Sequence, residues 1–211
     1  MKAQTAAIFG RDTSGPLETC RADIQKAFAA LSECFASGHK LLVCGNGGSA
    51  SDSEHIIGEL MKGFAKKRPL PEAHRSSLRS AFPAEGAELA EKLQGALPAI
   101  CLASQTSLCT AVANDVSFDL IFAQQVYGYG KEGDVVLGIS TSGLAANVLA
   151  ALRTARAFGM KTLGLTGQEG GRMEGLCDVT IKAPARSASE VQAHHTRIYH
   201  TLCAMLEEEF F

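Results

Sequence analysis

The chain has 211 residues, 46% of them hydrophobic, and a formal net charge of −2. That length supports one domain with a sizeable core, and the charge excludes the broad basic surface of a nucleic-acid binder. No apolar run reaches the roughly 18 residues of a membrane helix, and the opening Met1–Gly10 is too short and broken for a secretory leader.

Met1 to Gly15 reads as a loose arm. Pro16 opens a helix that runs to about Ala36, with apolar positions at Ile24, Phe28, Leu31 and Phe35. Leu41–Cys44 is an apolar run short enough for a buried strand. A helix follows from about Ser51 to about Lys66, and then Lys67–Arg75 forms an excursion bearing prolines and charges. A short helix is predicted over Glu85–Gln94, a second strand over Pro98–Ala103, and helical patterns over Leu108–Ala113 and Leu120–Tyr129. Asp134–Ile139 is the third strand, and about Ala145–Phe158 the next helix. Lys161–Thr166 is the fourth strand, followed by a Gly170-Gly171 turn with a short helix at Met173–Leu176. Asp178–Lys182 is the fifth strand, and a long helix from about Ala188 to Glu209 closes the chain.

Short apolar strands alternating with helices predict βαβ units, a parallel sheet and helices on both of its faces. None of the seven cysteines sits in a C-x-x-C pair, and Cys44, Cys101, Cys109 and Cys203 lie in apolar contexts. They read as reduced core residues of a cytoplasmic protein rather than as disulfides or a thiolate zinc site.

Two strand-to-helix junctions carry chemistry. After the first strand come Gly45-Asn46-Gly47-Gly48-Ser49, glycines for a tight turn and hydroxyls of the capping type, with Ser51 and Asp52 beyond. After the third come Ser140-Thr141-Ser142-Gly143, three hydroxyls before a helix. Free N–H groups and the positive end of a helix dipole suit an anion at such junctions. In an open parallel sheet, ligands bind beyond the carboxyl ends of the strands. One helical turn past the first junction, His55 and Glu59 stand at i and i+4 and share a face. By itself that pair is most simply a surface contact. There is no P-loop motif and no G-x-G-x-x-G fingerprint.

In order and spacing, Cys44-Gly-Asn-Gly-Gly-Ser49, His55-x-x-x-Glu59, Asn114-Asp115, Gly138-Ile-Ser-Thr-Ser-Gly143, Leu165-Thr-Gly167 and Gln192…His200 resemble the sugar isomerase (SIS) domain family and, within it, the phosphoheptose isomerases. The resemblance covers about Leu41 to Glu208, apart from an insertion at residues 71–96. It implies a single SIS domain over 1–211, with residues 1–37 as arm and first helix. The implied fold is a flavodoxin-like three-layer α/β/α sandwich with a five-stranded parallel sheet. It also implies a homotetramer with shared active sites, acting on a small sugar phosphate and binding neither nucleic acid nor membrane.

The same resemblance implies roles for residues. Asn46, Gly47, Gly48, Ser49, Asn114 and Asp115 match positions that contact substrate. Ser140, Thr141 and Ser142 match the phosphate-binding run, and Gln192 a further contact. Glu59 and His200 match the proton-transferring pair. His55, Glu59, Gln192 and His200 match a zinc site. The implied reaction interconverts sedoheptulose 7-phosphate and D-glycero-D-manno-heptose 7-phosphate through an enediol, a step toward surface polysaccharide. Such a reaction needs a base, a shuttle for hydroxyl protons and electrophilic help at the carbonyl. Gln192 and His200 are eight residues apart, about two helical turns, so one helix presents both toward one pocket.

His194 and His195 are expected to be structural or solvent-facing. His39 and His74 are expected at the surface, and Lys66-Lys67-Arg68 as a solvated helix end. Four features depart from the family pattern. Leu144 and Ala145 stand where the serine run usually continues N-S. Ser189 replaces an Asp, Lys62-Gly63 replaces an Arg, and residues 71–96 are extra. These leave two alternatives, an isomerase of another phosphosugar and a non-enzymatic adaptor that binds a replication initiator or senses a sugar phosphate.

Overall fold

The computed structural model describes all 211 residues. Five parallel strands form the central sheet: β1 (Leu41–Gly45), β2 (Ala99–Cys101), β3 (Val135–Ile139), β4 (Lys161–Thr166) and β5 (Val179–Lys182). Their order is β2-β1-β3-β4-β5, and every pairing is parallel. This is the flavodoxin-like order, in which the chain runs to one edge, returns through the centre and fills the other edge. The register of β1 against β3 runs from Leu41 opposite Val135 to Gly45 opposite Ile139. The two Ser/Gly junctions therefore leave the sheet side by side.

Nine helices flank the sheet: α1 (Ala3–Asp12), α2 (Arg21–Ala36), α3 (Gly48–Met61), α4 (Glu72–Ala81), α5 (Gly86–Lys92), α6 (Thr106–Asp115), α7 (Ile121–Tyr129), α8 (Ala146–Ala157) and α9 (Ala188–Phe210). Side-chain alternation along β1 explains the two layers. Leu41 and Val43 enter an apolar cluster with Phe28, Leu31, Ile56, Leu60, Ile198 and Leu202, from α2, α3 and α9. Leu42 and Cys44 point the other way, into a cluster with Phe122, Val126, Leu149 and Leu152, from α7 and α8. Since both faces are covered, the strands can be apolar at every position, and β1 and β3 are buried along their whole length. All seven cysteines are free thiols, and five of them are buried.

Four expectations need correction. The N-terminal arm is helical: α1 lies along α9, with the Lys2 N–H and the Thr5 hydroxyl both donating to the Glu209 carboxylate at 2.9 Å. Phe9 is buried, with the Arg21 guanidinium 4.8 Å above its ring. The helix expected from Pro16 begins as a 3-10 turn over Gly15–Cys20 and becomes α2 only at Arg21. α3 starts at Gly48, three residues earlier than its capping-type residues suggest, with Gly47 at φ 57° as the preceding residue. It ends at Met61 rather than Lys66, because Lys62 is extended.

The reason for that early end is the fourth correction. Lys66 and Lys67 stay at the surface, but Arg68 is fully buried. Its Nε donates to Glu207 of α9 at 2.7 Å, and Nη1 and Nη2 donate to the carbonyls of Leu60 and Glu59 at 2.7 and 2.9 Å. The Phe211 ring lies 4.8 Å from the guanidinium carbon. Glu207 also accepts the N–H groups of Phe64 at 2.8 Å, Ala65 at 2.7 Å and Lys66 at 3.2 Å. Arg68 thus caps the C-terminus of α3, and Glu207 gathers the chain that follows it.

Residues 71–96, expected to be extra, form a hairpin of α4 and α5. Its neck is closed by an antiparallel bridge between Pro69 and Gln94, by the Gly95 N–H on the Arg68 carbonyl at 2.7 Å, and by the Gly63 N–H on the Gln94 side chain at 2.8 Å.

Removing one member of a buried ion pair strands the other and costs about 3–5 kcal/mol, so Glu207→Gln is expected to lose that much in urea unfolding. The pair also carries a pH signature. Burial opposes the charge on Glu207. The Phe64 and Ala65 N–H groups and Arg68 outweigh it and hold the carboxyl below its ordinary value of 4.5. The contribution is therefore complete above pH 4.5 and is lost as pH falls through the lower folded-state value. Glu207→Gln should flatten that acid limb, and an unchanged limb in the variant would show that Glu207 has no such role.

Candidate functional site

The β1 junction places Asn46, Gly47 and Gly48 at the surface and buries Ser49. The β3 junction buries Ser140, half-buries Thr141 and leaves Ser142 exposed. Asn46, Ser49, Ser140, Thr141, Ser142, Ala145 and Gln192 line one cleft of about 220 Å³. Ala145 precedes α8 without a side-chain cap, so the first N–H groups of that helix face this end of the sheet unpaired by a hydroxyl. Ala145 lines the cleft, at the position where the family pattern expected from the sequence has a hydroxyl.

The two junctions are joined by a contact the sequence did not signal. The Asn46 and Asn147 side-chain amides donate to one another, at 2.8 and 2.9 Å. Asn147 is buried, and its oxygen also accepts the Val148 N–H at 2.9 Å. The pair fixes the β1 loop against the start of α8.

His55 and Glu59 of α3 meet His200 of α9. His55 Nε2 lies 3.2 Å from Glu59 Oε1 and 3.3 Å from His200 Nε2. One ligand-type atom from each of the three residues falls within a sphere where all lie no more than 4.8 Å apart. Lys62, in place of the family's Arg, brings its ammonium to 3.9 Å from Glu59 Oε2. Burial, and then the neighbouring His55, lower the pKa of His200, while Glu59 pulls it the other way. A neutral imidazole results, one that can both take and give a proton.

The donor set fits a zinc ion. Two imidazole nitrogens and a carboxylate oxygen are common zinc ligands, and tetrahedral bonds of about 2.0–2.1 Å place neighbouring ligand atoms roughly 3.3 Å apart. The two shorter separations, 3.2 and 3.3 Å, match that spacing. Glu59 Oε2 is buried without a hydrogen-bond partner, its nearest cation the Lys62 ammonium at 3.9 Å, so it is open to a closer cation. Gln192, expected as the fourth ligand, has its amide turned over Gly48, so close that a β-carbon there would collide with it. Asn114 and Asp115 end α6, both exposed, and their side chains bond each other at 2.8 Å. Neither lines the cleft.

The SIS domain family model matches residues 13–95 and 81–167. The chain belongs to the SIS domain family. Its relatives include phosphoheptose isomerases. It is 40% identical over 193 residues to the phosphoheptose isomerase of Nitratiruptor sp., covering 92% of this chain and 89% of that protein. It is 42% identical over 177 residues to that of Nitratidesulfovibrio vulgaris, covering 84% and 73%. Among solved structures, the phosphoheptose isomerase of Francisella tularensis superposes with a TM-score of 0.74, covering 97% of this chain and 93% of that one. GmhA of Neisseria gonorrhoeae gives 0.72, covering 98% and 94%, and each is 28% identical. The family fold, the isomerase class and the α/β architecture expected from the motifs are all found.

Three of the other histidines behave as expected, whereas His39, expected at the surface, sits against Gly133 with Nδ1 3.6 Å from Asp134. His74 is exposed and His39 half-buried. His194 is half-buried, and His195 is fully buried, with Nε2–H donating to the Thr166 carbonyl at 3.1 Å. Burial pushes the pKa of His195 down to about 4 from the ordinary 6.5. The unfolded chain takes up this proton first, so stability falls as pH drops from about 6.5 to about 4 and levels off below. The loss is on the order of 3 kcal/mol. Urea unfolding of wild type and His195→Gln across this range is expected to diverge by that amount, and parallel curves would remove His195 from the account.

Proposed function

We infer that this protein is an aldose–ketose isomerase that interconverts sedoheptulose 7-phosphate and a D-glycero-D-manno-heptose 7-phosphate. The observation that carries this reading is the meeting of Glu59 and His200 about His55, at 3.2 and 3.3 Å. These residues share α3 and α9 with the walls of the hydroxyl-lined cleft. A carboxylate and a neutral imidazole are the pair that a proton shift between adjacent carbons requires. The naming of its relatives as phosphoheptose isomerases supports the substrate.

In this reading the phosphate sits at Ser140–Ser142 and the first N–H groups of α8, where hydroxyls and the helix dipole offset its charge. The Asn46–Gly48 loop faces the sugar hydroxyls, with Gln192 beside it. Glu59 removes the proton from the carbon next to the carbonyl and returns it to the neighbouring carbon. His200 carries the proton between the two oxygens, so that the enediol never holds a full negative charge. Zinc held by His55, Glu59 and His200 would supply electrophilic polarisation of the substrate oxygens. The enzyme works in the cytoplasm as a homotetramer whose subunits share active sites.

A second substrate is favoured by one specific feature. Ala145 offers no hydroxyl at the phosphate end of the cleft it lines, and loss of one hydroxyl contact weakens or re-aims anion binding there. A shorter or differently configured phosphosugar is then the substrate. The adaptor reading is disfavoured, since adaptors of this family lack acid–base residues at the positions of Glu59 and His200.

Purified protein, with and without added zinc, is expected to convert sedoheptulose 7-phosphate. Turnover of another phosphosugar alone would transfer the assignment to that sugar, and turnover of none would end the enzyme reading. Glu59→Gln and His200→Ala should each lower kcat by about 10²–10⁴-fold. Wild-type rates in either variant would overturn the role assigned to that residue.

A further inference from the structure

Behind His55 lies a chain of polar groups that none of the expected site residues includes. Tyr199 precedes His200 on α9 and is 3% exposed. Its hydroxyl oxygen is 3.0 Å from His55 Nδ1, the ring nitrogen facing away from Glu59 and His200. The same hydroxyl is 3.4 Å from Asp52 Oδ1, and 3.4 Å from the Thr196 hydroxyl. Asp52 is 9% exposed, and its second oxygen is buried without a partner. The Tyr199 and His55 rings meet edge-on, with centroids 5.4 Å apart.

The donors and acceptors in this chain favour one arrangement. The Asp52 carboxylate only accepts. The Thr196 hydroxyl already donates to the Gln192 carbonyl at 3.2 Å, so it too is an acceptor toward Tyr199. A proton given to His55 would leave the buried Asp52 carboxylate with no donor at either oxygen, so the tyrosine proton goes to Asp52 and the phenolic oxygen is left to accept. Its partner at 3.0 Å must then be an N–H, which puts a proton on His55 Nδ1. A neutral imidazole protonated on Nδ1 has its lone pair on Nε2. That lone pair points at Glu59 Oε1 and His200 Nε2, so three electron-rich atoms face a common point.

We propose that Tyr199, held by Asp52, is a positioning residue that fixes His55 as the Nδ1–H tautomer and so dedicates its Nε2 to the centre shared with Glu59 and His200. Without the phenol the preference reverses. His55 can then protonate Nε2 and donate to Glu59 Oε1 at 3.2 Å, which closes the centre on itself. Partners behind a ligating imidazole that set its tautomer are typically worth about 10–100-fold in metal affinity. The proposal rests on the isomerase reading only for the use to which the centre is put, since tautomer and metal affinity are measured without substrate.

The test has two arms. In metal-free wild type labelled with ¹⁵N-histidine, at alkaline pH where the imidazoles are neutral, the two-bond nitrogen–proton pattern of His55 is expected to report Nδ1–H. Zinc titration against a chromophoric chelator is then compared between wild type and Tyr199→Phe. This variant keeps the ring in its packed position, and its fold is checked by circular dichroism. Its zinc affinity is expected to fall about 10–100-fold, with His55 shifting to Nε2–H. A wild-type His55 protonated on Nε2 overturns the proposal without recourse to any variant. A folded Tyr199→Phe that binds zinc within about twofold of wild type overturns it as well. If both arms succeed while no phosphosugar is turned over, the isomerase reading fails and the relay stands.

Discussion

The parallel pairing of β1 with β3 is the constraint on which the site depends. Gly45 and Ile139 are register partners, so the two strands end level. The chain leaves one for a helix on the α2 and α9 face and the other for a helix on the opposite face. That divergence opens the crevice typical of a doubly wound sheet. The hydroxyls of both junctions become neighbours without any loop having to reach across the molecule. The reciprocal amide bonds between Asn46 and Asn147 then convert adjacency into a fixed separation.

The proton-handling group is built on a different joint. α3 and α9 each supply part of it, and the spacing of His55 and Glu59 from His200 is only as firm as the packing of those two helices. Apolar contact from Ile56, Leu60, Ile198 and Leu202 brings them together, but apolar contact permits sliding. Arg68 and Glu207 do not. The guanidinium is bonded to the carbonyl of Glu59 itself as well as to α9's carboxylate, so backbone position at the proposed base is tied to the helix bearing His200. A buried ion pair is a poor source of net stability but a good source of registration, and registration is what a constellation with sub-ångström tolerance needs.

The five strands were legible because a sheet covered on both faces admits apolar runs of strand length, and those runs stand out against helical periodicity. The glycine and serine junctions were legible because their chemistry is local. What escaped was every feature whose partner is distant in sequence. Arg68 looked like the third cation of a solvated run, and its acid lies 139 residues away. Asn147 and Asn46 are 101 apart, and Tyr199 and His55 144 apart. α1 was missed for the same reason: only Thr5 and Phe9 are buried along it, and it is anchored by Glu209 at the other end of the chain. The early end of α3 likewise follows from Glu207 claiming the N–H groups of Phe64, Ala65 and Lys66.

The hairpin of α4 and α5 leaves and rejoins the domain at one point, where Pro69 faces Gln94 and Gly95 bonds Arg68. With its two ends side by side, the segment between them is topologically a tag. Loop-closure entropy grows only slowly with length, so lengthening, shortening or replacing this segment changes the folding free energy little as long as the neck is kept. The neck also touches Arg68, the residue that registers the two site helices. The same joint that makes the hairpin exchangeable therefore makes it a lever: a load on the hairpin is transmitted first to the capped end of α3.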